Sequence, residues 1–262
     1  MKQTGAKHMS LWRKTQKTEP TAAQAVELCD VSFAKDGRDI LSGISLTLTE
    51  PRIGVVGRNG SGKTTLARLI AGLVEPTQGA VRVRGVDVTQ DRVNAISAVG
   101  ILFQNPDHQI IFPTVEEEIA FGLSQLGAER RAARDGAHQV LARFGKEHWA
   151  ERSIHTLSQG QRHLVCLMSV LAMEPALIVL DEPFAGLDIP TTRALNRYLD
   201  GLDEQLLHIT HDPATLARYD RVLWIDNGKV RLDGSAEFVL AAFRAEMDTT
   251  GGENDDLTDL AH

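Results

Sequence analysis

Short apolar runs that alternate with polar residues mark the first third of the chain: VELCDVSF at 26–33, ISLTLT at 44–49, RIGVV at 52–56 and AVRVRG at 80–85. That period of two is the signature of half-buried strands. Four more runs follow, VGILF at 99–103, LIVL at 177–180, LLHIT at 206–210 and RVLWI at 221–225. LIVL and LLHIT are apolar almost throughout, as expected of strands covered on both faces of a parallel sheet, and helical patterns alternate with these later runs. From Thr114 to Met173 the period changes, and TVEEEIAFGLSQL, ERRAARDGAHQVLARF and GQRHLVCLMSVLAM all read as helix. The pattern predicts an α/β core with an antiparallel β annex, interrupted by a helical subdomain at about 106–173 that can move against the core. Residues 1–25 lack either period and read as a flexible N-terminal segment. The folded domain is expected over 26–245, and 246–262 reads as an acidic disordered tail with too little apolar surface to offset ordering entropy.

Composition narrows the function classes. The 262 residues carry 42% hydrophobic and 24% charged side chains, ordinary values for a globular protein. The net charge is −7, opposite in sign to the surface that grips nucleic acid. Five cations against Glu19 in residues 1–25, and six acids without a cation in 246–262, leave −5 on the chain between. Cys29 and Cys166 show no metal-ligand spacing and are expected to be buried, reduced thiols. No apolar run approaches the roughly 20 residues that span a bilayer, so a membrane role would go through partners.

The most specific chemistry follows RIGVV. GRNGSGKT, Gly57 to Thr64, matches GxxxxGK[ST] and runs into the helical pattern TLARLIAGLV. Gly57, Gly60 and Gly62 let the backbone wrap closely, so that the amides of Arg58, Asn59 and Ser61 can face phosphate oxygens at a helix N-terminus. Lys63 supplies a point charge to the β/γ-phosphates, Thr64 a hydroxyl for Mg²⁺, and Thr65 a further contact. In LIVLDEP, 177–183, a buried strand ends in two acids. Asp181 is placed to hold Mg²⁺ and Glu182 to polarise an attacking water.

LSQGQ at 157–161, directly before a helical run, resembles the signature motif of the ABC ATPase family. Gln104 resembles that family's Q-loop glutamine, AGLD at 185–188 its D-loop with Asp188, and His211 its switch histidine, and the likeness extends over about 26–240. It implies an ABC nucleotide-binding domain, a P-loop NTPase core that uses ATP and Mg²⁺, with Thr64, Gln104 and Asp181 around the metal and His211 at the γ-phosphate. It implies also a head-to-tail ATPase dimer, most simply a homodimer, in which Ser158, Gly160, Gln161 and Asp188 serve the nucleotide of the partner. Ser158 and Gly160 open a helix, and so offer a second anion-binding N-terminus. Two positions depart from the family pattern. Gln159 replaces a glycine, and Lys35 stands where an aromatic residue usually stacks on adenine, with Phe33 expected to face away.

NPDHQIIFPTVEEEIAFGLSQLG, 105–127, resembles the matching segment of ATPases from energy-coupling-factor (ECF) importers, a class in which the adjoining groove receives a transmembrane coupling subunit. Asp107, His108, Gln109, Phe112 and Val115 are the implied coupling surface. The implied partners are that subunit and a substrate-capturing membrane protein, without nucleic acid, at the cytoplasmic face of the cell membrane. LSQGQRHLVCLMSVLAMEP, AGLDIPTT and HITHDP look most like the ATPase of bacterial biotin importers, with cobalt or nickel uptake the close competitor. Two rivals remain, a soluble ABC ATPase and a non-catalytic module that dimerises on ATP. The presence of both Glu182 and His211 argues against the second.

Overall fold

The computed structural model describes residues 26–251. Two sheets meet over a shared core. The smaller is antiparallel, in the order β2-β1-β4-β5, from β1 (Val26–Lys35), β2 (Arg38–Leu48), β4 (Gln78–Val83) and β5 (Val86–Asp87). The larger runs β10-β9-β3-β8-β7-β6, from β3 (Arg52–Val56), β6 (Val99–Leu102), β7 (Leu177–Asp181), β8 (Gln205–Ile209), β9 (Arg221–Asp226) and β10 (Lys229–Gly234). Strands β9, β3, β8, β7 and β6 are mutually parallel, and β10 returns antiparallel as an edge strand. The hairpins turn where the sequence permits positive φ: Asp36-Gly37 between β1 and β2, and Asn227-Gly228 between β9 and β10.

Helix α1 (Lys63–Ile70) packs Leu66, Leu69 and Ile70 into the layer between the sheets, against Val26, Leu41, Ile53, Val179 and Leu207. A second core joins α3 (Val115–Gln125), α4 (Arg130–Arg143) and α5 (Gln159–Ala172) to Ile178, Leu180 and Leu206 of the large sheet, with α6 (Ile189–Asp200) closing one side. Short α2 (Arg92–Ala98) leads into β6, and α7 (Ala236–Gly251) covers β9 through Val239, Leu240 and Phe243.

Two expectations are corrected. Helix α7 continues through Gly251, and Glu246 pairs with Arg231, so the segment expected to be disordered from 246 begins as helix. Arg231 also lies 4.2 Å over the Trp224 ring, which fixes that turn of α7 to β9 and β10. The remainder of the tail and residues 1–25 lie outside the described residues. Cys29 is exposed, because its strand turns alternate residues to solvent, whereas Cys166 is buried and its burial pushes the thiol up, away from reactivity.

Candidate active site

The parallel strands β3, β8, β7 and β6 deliver their carboxyl ends to one edge, the position at which α/β sheets hold ligands. From β3 the chain enters the Gly57–Gly62 loop and then α1, whose N-cap is Gly62 at φ 105. A Cβ there would stand 2.6 Å from Leu41 Cδ2, and one on Gly57 would collide with the Ile225 carbonyl. Glycine is required at both positions by close approach as well as by conformation. Lys63 is buried and donates from Nζ to the carbonyls of Gly57 at 2.8 Å and Arg58 at 2.9 Å, arching back over its own loop. The Ser61 hydroxyl is buried without a hydrogen-bond partner, an opening that a phosphate oxygen fits.

Asp181 closes β7 and accepts from Thr64 Oγ1 at 3.2 Å. Burial pushes its carboxyl above the usual range against the pull of the Thr64 hydrogen bond, and burial lowers Lys63 against the pull of Glu182 and Asp181. Each group is thus short of counter-charge, which a triphosphate would supply to Lys63 and a divalent cation to Asp181. One carboxylate and one hydroxyl would fit the sparse protein donor set of a Mg²⁺ that keeps substrate phosphates among its ligands. No group of three or more His, Cys, Asp or Glu that could hold a metal occurs among the described residues.

Glu182 follows at φ 50, with its N–H on the Ile209 carbonyl at 2.9 Å. That left-handed turn projects the side chain away from the strand, where Oε2 meets Gln104 Nε2 at 3.3 Å and His211 Nδ1 at 3.2 Å. The ends of β6, β7 and β8 therefore join three of the residues singled out in the sequence. Gln104 contacts Glu182 rather than the Thr64–Asp181 pair. A hollow of about 660 Å³ borders the loop between Arg58, Asn59, His211 and the α7 residues Phe243 and Arg244.

The signature segment is organised by its own backbone. Ser158 caps α5: its hydroxyl accepts from Gln161 N–H at 3.3 Å while Gln161 Oε1 accepts from Ser158 N–H at 3.0 Å, a capping box. No hydrogen bond or ion pair joins Ser158, Gly160 or Gln161 to the Gly57–Thr65 loop among the described residues. The amide of Gln159 lies beside Gly186, and Gly160 packs tightly on Thr191. Asp188 caps α6 through Thr191 N–H at 2.8 Å, and the Thr191 hydroxyl together with that N–H holds its carboxyl below the usual range. Thr65 is the third residue of α1, behind the loop. Lys35 is exposed at the β1–β2 hairpin, and half-buried Phe33 packs on the core between the sheets.

Beyond Gln104, Asp107 sits in a short 3₁₀ turn, Pro106–His108, and pairs with Arg162 Nε at 2.9 Å. Gln109 turns inward to accept from Phe103 N–H at 3.3 Å, and Phe112 packs on Phe121 with centroids 5.0 Å apart. Val115 is 0% exposed, so it belongs to the helical core and not to a docking surface; as the first residue of α3 it points inward. Ile111, absent from the sequence-based set, is 69% exposed. A hollow of about 490 Å³ opens between Phe112, Phe121, Glu117 and Arg130. Sequence reasoning also passed over His163, fully buried on α5, whose ring nitrogens lie 3.1 Å from the carbonyls of Gln159 and Gln104. Its burial lowers its basicity, the two carbonyls opposing. No local motif announces it.

The model of the family described as "ABC transporter" matches residues 41–185. The chain is 52% identical to the biotin transport ATP-binding protein BioM of Rhodobacter capsulatus, over 86% of this chain and 96% of that one. It is 36% identical to the cobalt import ATP-binding protein CbiO of Syntrophus aciditrophicus, over 82% and 80%. Among solved structures, cbiO1 from Clostridium perfringens, part of the ABC transporter complex cbiONQ, superposes with a TM-score of 0.71 at 27% identity, covering 84% of this chain and 92% of that one. With the phosphate loop, the strand-end acids and the matched span all in agreement, the chain belongs to the ABC transporter family and is an ATP-binding ATPase of it.

Proposed function

We propose that the chain is the ATP-hydrolysing subunit of an ECF-type importer and that the imported substrate is biotin. The observation that carries the substrate is the 52% identity, over nearly the whole of both chains, to a relative named for biotin transport. A second reading, cobalt or nickel uptake, is favoured by the relative named for cobalt import, and stands lower on 36% identity.

The site residues divide the work. Lys63 exchanges its two loop carbonyls for the β/γ-phosphates, and the amides from Arg58 to Thr65, with the Ser61 hydroxyl, cradle the rest. Thr64 and Asp181 would hold Mg²⁺, with Gln104 joining them on leaving Glu182, and the ion would neutralise developing phosphate charge. Glu182 accepts the proton of the attacking water, aimed by Gln104 and His211, and His211 reaches the γ-phosphate from the same position. The α5 N-terminus at Ser158, Gly160 and Gln161, with Asp188, serves the nucleotide of a second copy, in a head-to-tail dimer that ATP closes and hydrolysis releases. In support, Ser158 and Gly160 stand at a helix start without a bond to the chain's own phosphate loop.

No helix among the described residues is long and apolar enough to cross a membrane. Access to the cytoplasmic face of the membrane then comes through a transmembrane subunit docked along Asp107, His108, exposed Ile111 and Phe112, beside a membrane protein that captures the substrate. The test is uptake by cells that express the chain with its membrane subunits. Labelled biotin should accumulate and labelled cobalt should not, and Lys63→Ala should abolish the accumulation. Cobalt or nickel accumulation without biotin would replace the substrate assignment, and uptake indifferent to Lys63→Ala would remove the motor role.

A further inference from the structure

Helix α5 does more than present Ser158. One turn in from its cap, His163 is 0% exposed, and its two ring nitrogens face two carbonyl oxygens, Nδ1 to Gln159 and Nε2 to Gln104, each at 3.1 Å. A neutral imidazole carries a single N–H and so can donate to only one of them. The Gln159 carbonyl lies four residues back on the same helix and already accepts from the helical backbone ladder. The Gln104 carbonyl lies at the end of β6, outside any helix. A proton on Nε2 therefore supplies a bond from α5 to the backbone of Gln104, the same residue whose side-chain amide reaches Glu182 at 3.3 Å. Three positions beyond Gln104, Asp107 pairs with Arg162, the residue before His163, at 2.9 Å, a second tie from the same helix turn to the same segment.

We propose that His163 is a positioning residue for hydrolysis: through Nε2–H it clamps the Gln104 backbone, and so sets where the Gln104 amide meets Glu182. The proposal rests on the roles given above to Gln104 and Glu182. It makes the side chain of Gln104 a lever with a fixed pivot. Without the clamp the amide still exists but loses its aim, and a small misplacement of a group that orients the attacking water lowers turnover rather than affinity.

The test uses the full chain with two kinds of readout. In the nucleotide-free protein, ¹⁵N spectra of the imidazoles, with His163 assigned by its loss in His163→Gln, should show the proton on Nε2. In steady-state hydrolysis, His163→Leu should lower kcat by roughly tenfold with KM for ATP within about twofold of the parent. His163→Gln, which keeps a donor amide, should recover most of the rate. Added to Gln104→Ala, His163→Leu should have little further effect, since both changes remove one interaction. A ring protonated on Nδ1, an unchanged kcat in His163→Leu, or a full additional loss on top of Gln104→Ala would each overturn the clamp. Should the leucine chain fail to fold, the tautomer in the parent decides. A slow Gln104→Ala chain beside an unaffected His163→Leu chain removes the clamp alone, whereas a Gln104→Ala chain at the parent rate removes the role of Gln104 and the clamp with it.

Discussion

The backbone of Glu182 sits at φ 50, a region that costs a residue with a Cβ on the order of 1 kcal/mol or more. What the strain produces is a carboxylate swung off the end of β7 to face Gln104 and His211, while its neighbour Asp181 stays buried against Thr64. Two adjacent acids thereby acquire two environments, one buried on Thr64 and one facing Gln104 and His211, which the proposed function gives to a metal and to a water. Glu182→Gly should leave the melting temperature unchanged or raised, because the turn suits glycine, while ATP turnover disappears. A clear drop in melting temperature would show that the turn is not strained. Lys63→Ala should lose nucleotide binding itself, measured with a fluorescent ATP analogue. At this scale the sequence is most legible where the chemistry is carried by local backbone: Gly57 to Thr65 and Asp181-Glu182 announce themselves by spacing alone. His163 does not, because its meaning comes from the Gln104 carbonyl 59 positions away, and a histidine in an apolar helix has no periodicity of its own.

At the scale of elements, α5 is the part on which most depends. Its cap, its contact with Gly186 through Gln159 and its ties to the segment after β6 all lie within its first two turns, while the rest is core. Ser158→Ala removes the cap and should cost about 1 kcal/mol of stability, read as a lowered denaturant midpoint. A fall in hydrolysis much larger than the loss of folded protein would identify the additional role of the hydroxyl toward a second copy. The helical run and the buried strands were readable from period. Edge strand β10 carried a signal in Asp226-Asn227-Gly228, a turn sequence between the apolar run of β9 and the alternating KVRL of β10. Helix α7 was obscured because its acidic last turns resemble a solvated tail, and they are held by the pairing of Glu246 with Arg231 and by Met247 packed on the core beside β9. Val115 shows the converse limit. A motif assigned it to a surface, but packing in the helical core decides exposure.

Over the whole molecule, an acidic total of −7 coexists with a local anion site, because the amides of the phosphate loop and Lys63 act over a few ångströms while the net charge is spread across the surface. The large sheet carries the site at one edge and a buried titratable group within it. His208 on β8 is hydrogen-bonded through Nδ1 to the Tyr219 hydroxyl at 2.8 Å, and burial lowers its pKa to about 3 from 6.5. Unfolding frees the ring to take up a proton below 6.5 that the folded protein refuses until about 3. Stability is therefore full above that upper value and falls as pH drops through the window, by at most about 1.4 kcal/mol per unit from this group. His208→Gln should show a smaller drop in melting temperature between neutral and mildly acid buffer than the parent, and an equal drop would refute the assignment. The central claim, that this chain hydrolyses ATP with Glu182 receiving the proton of the attacking water, is tested most directly by steady-state phosphate release from Glu182→Gln in ATP and Mg²⁺. ATP binding should persist while turnover falls by about 10²–10⁴; turnover near the parent rate would contradict the account.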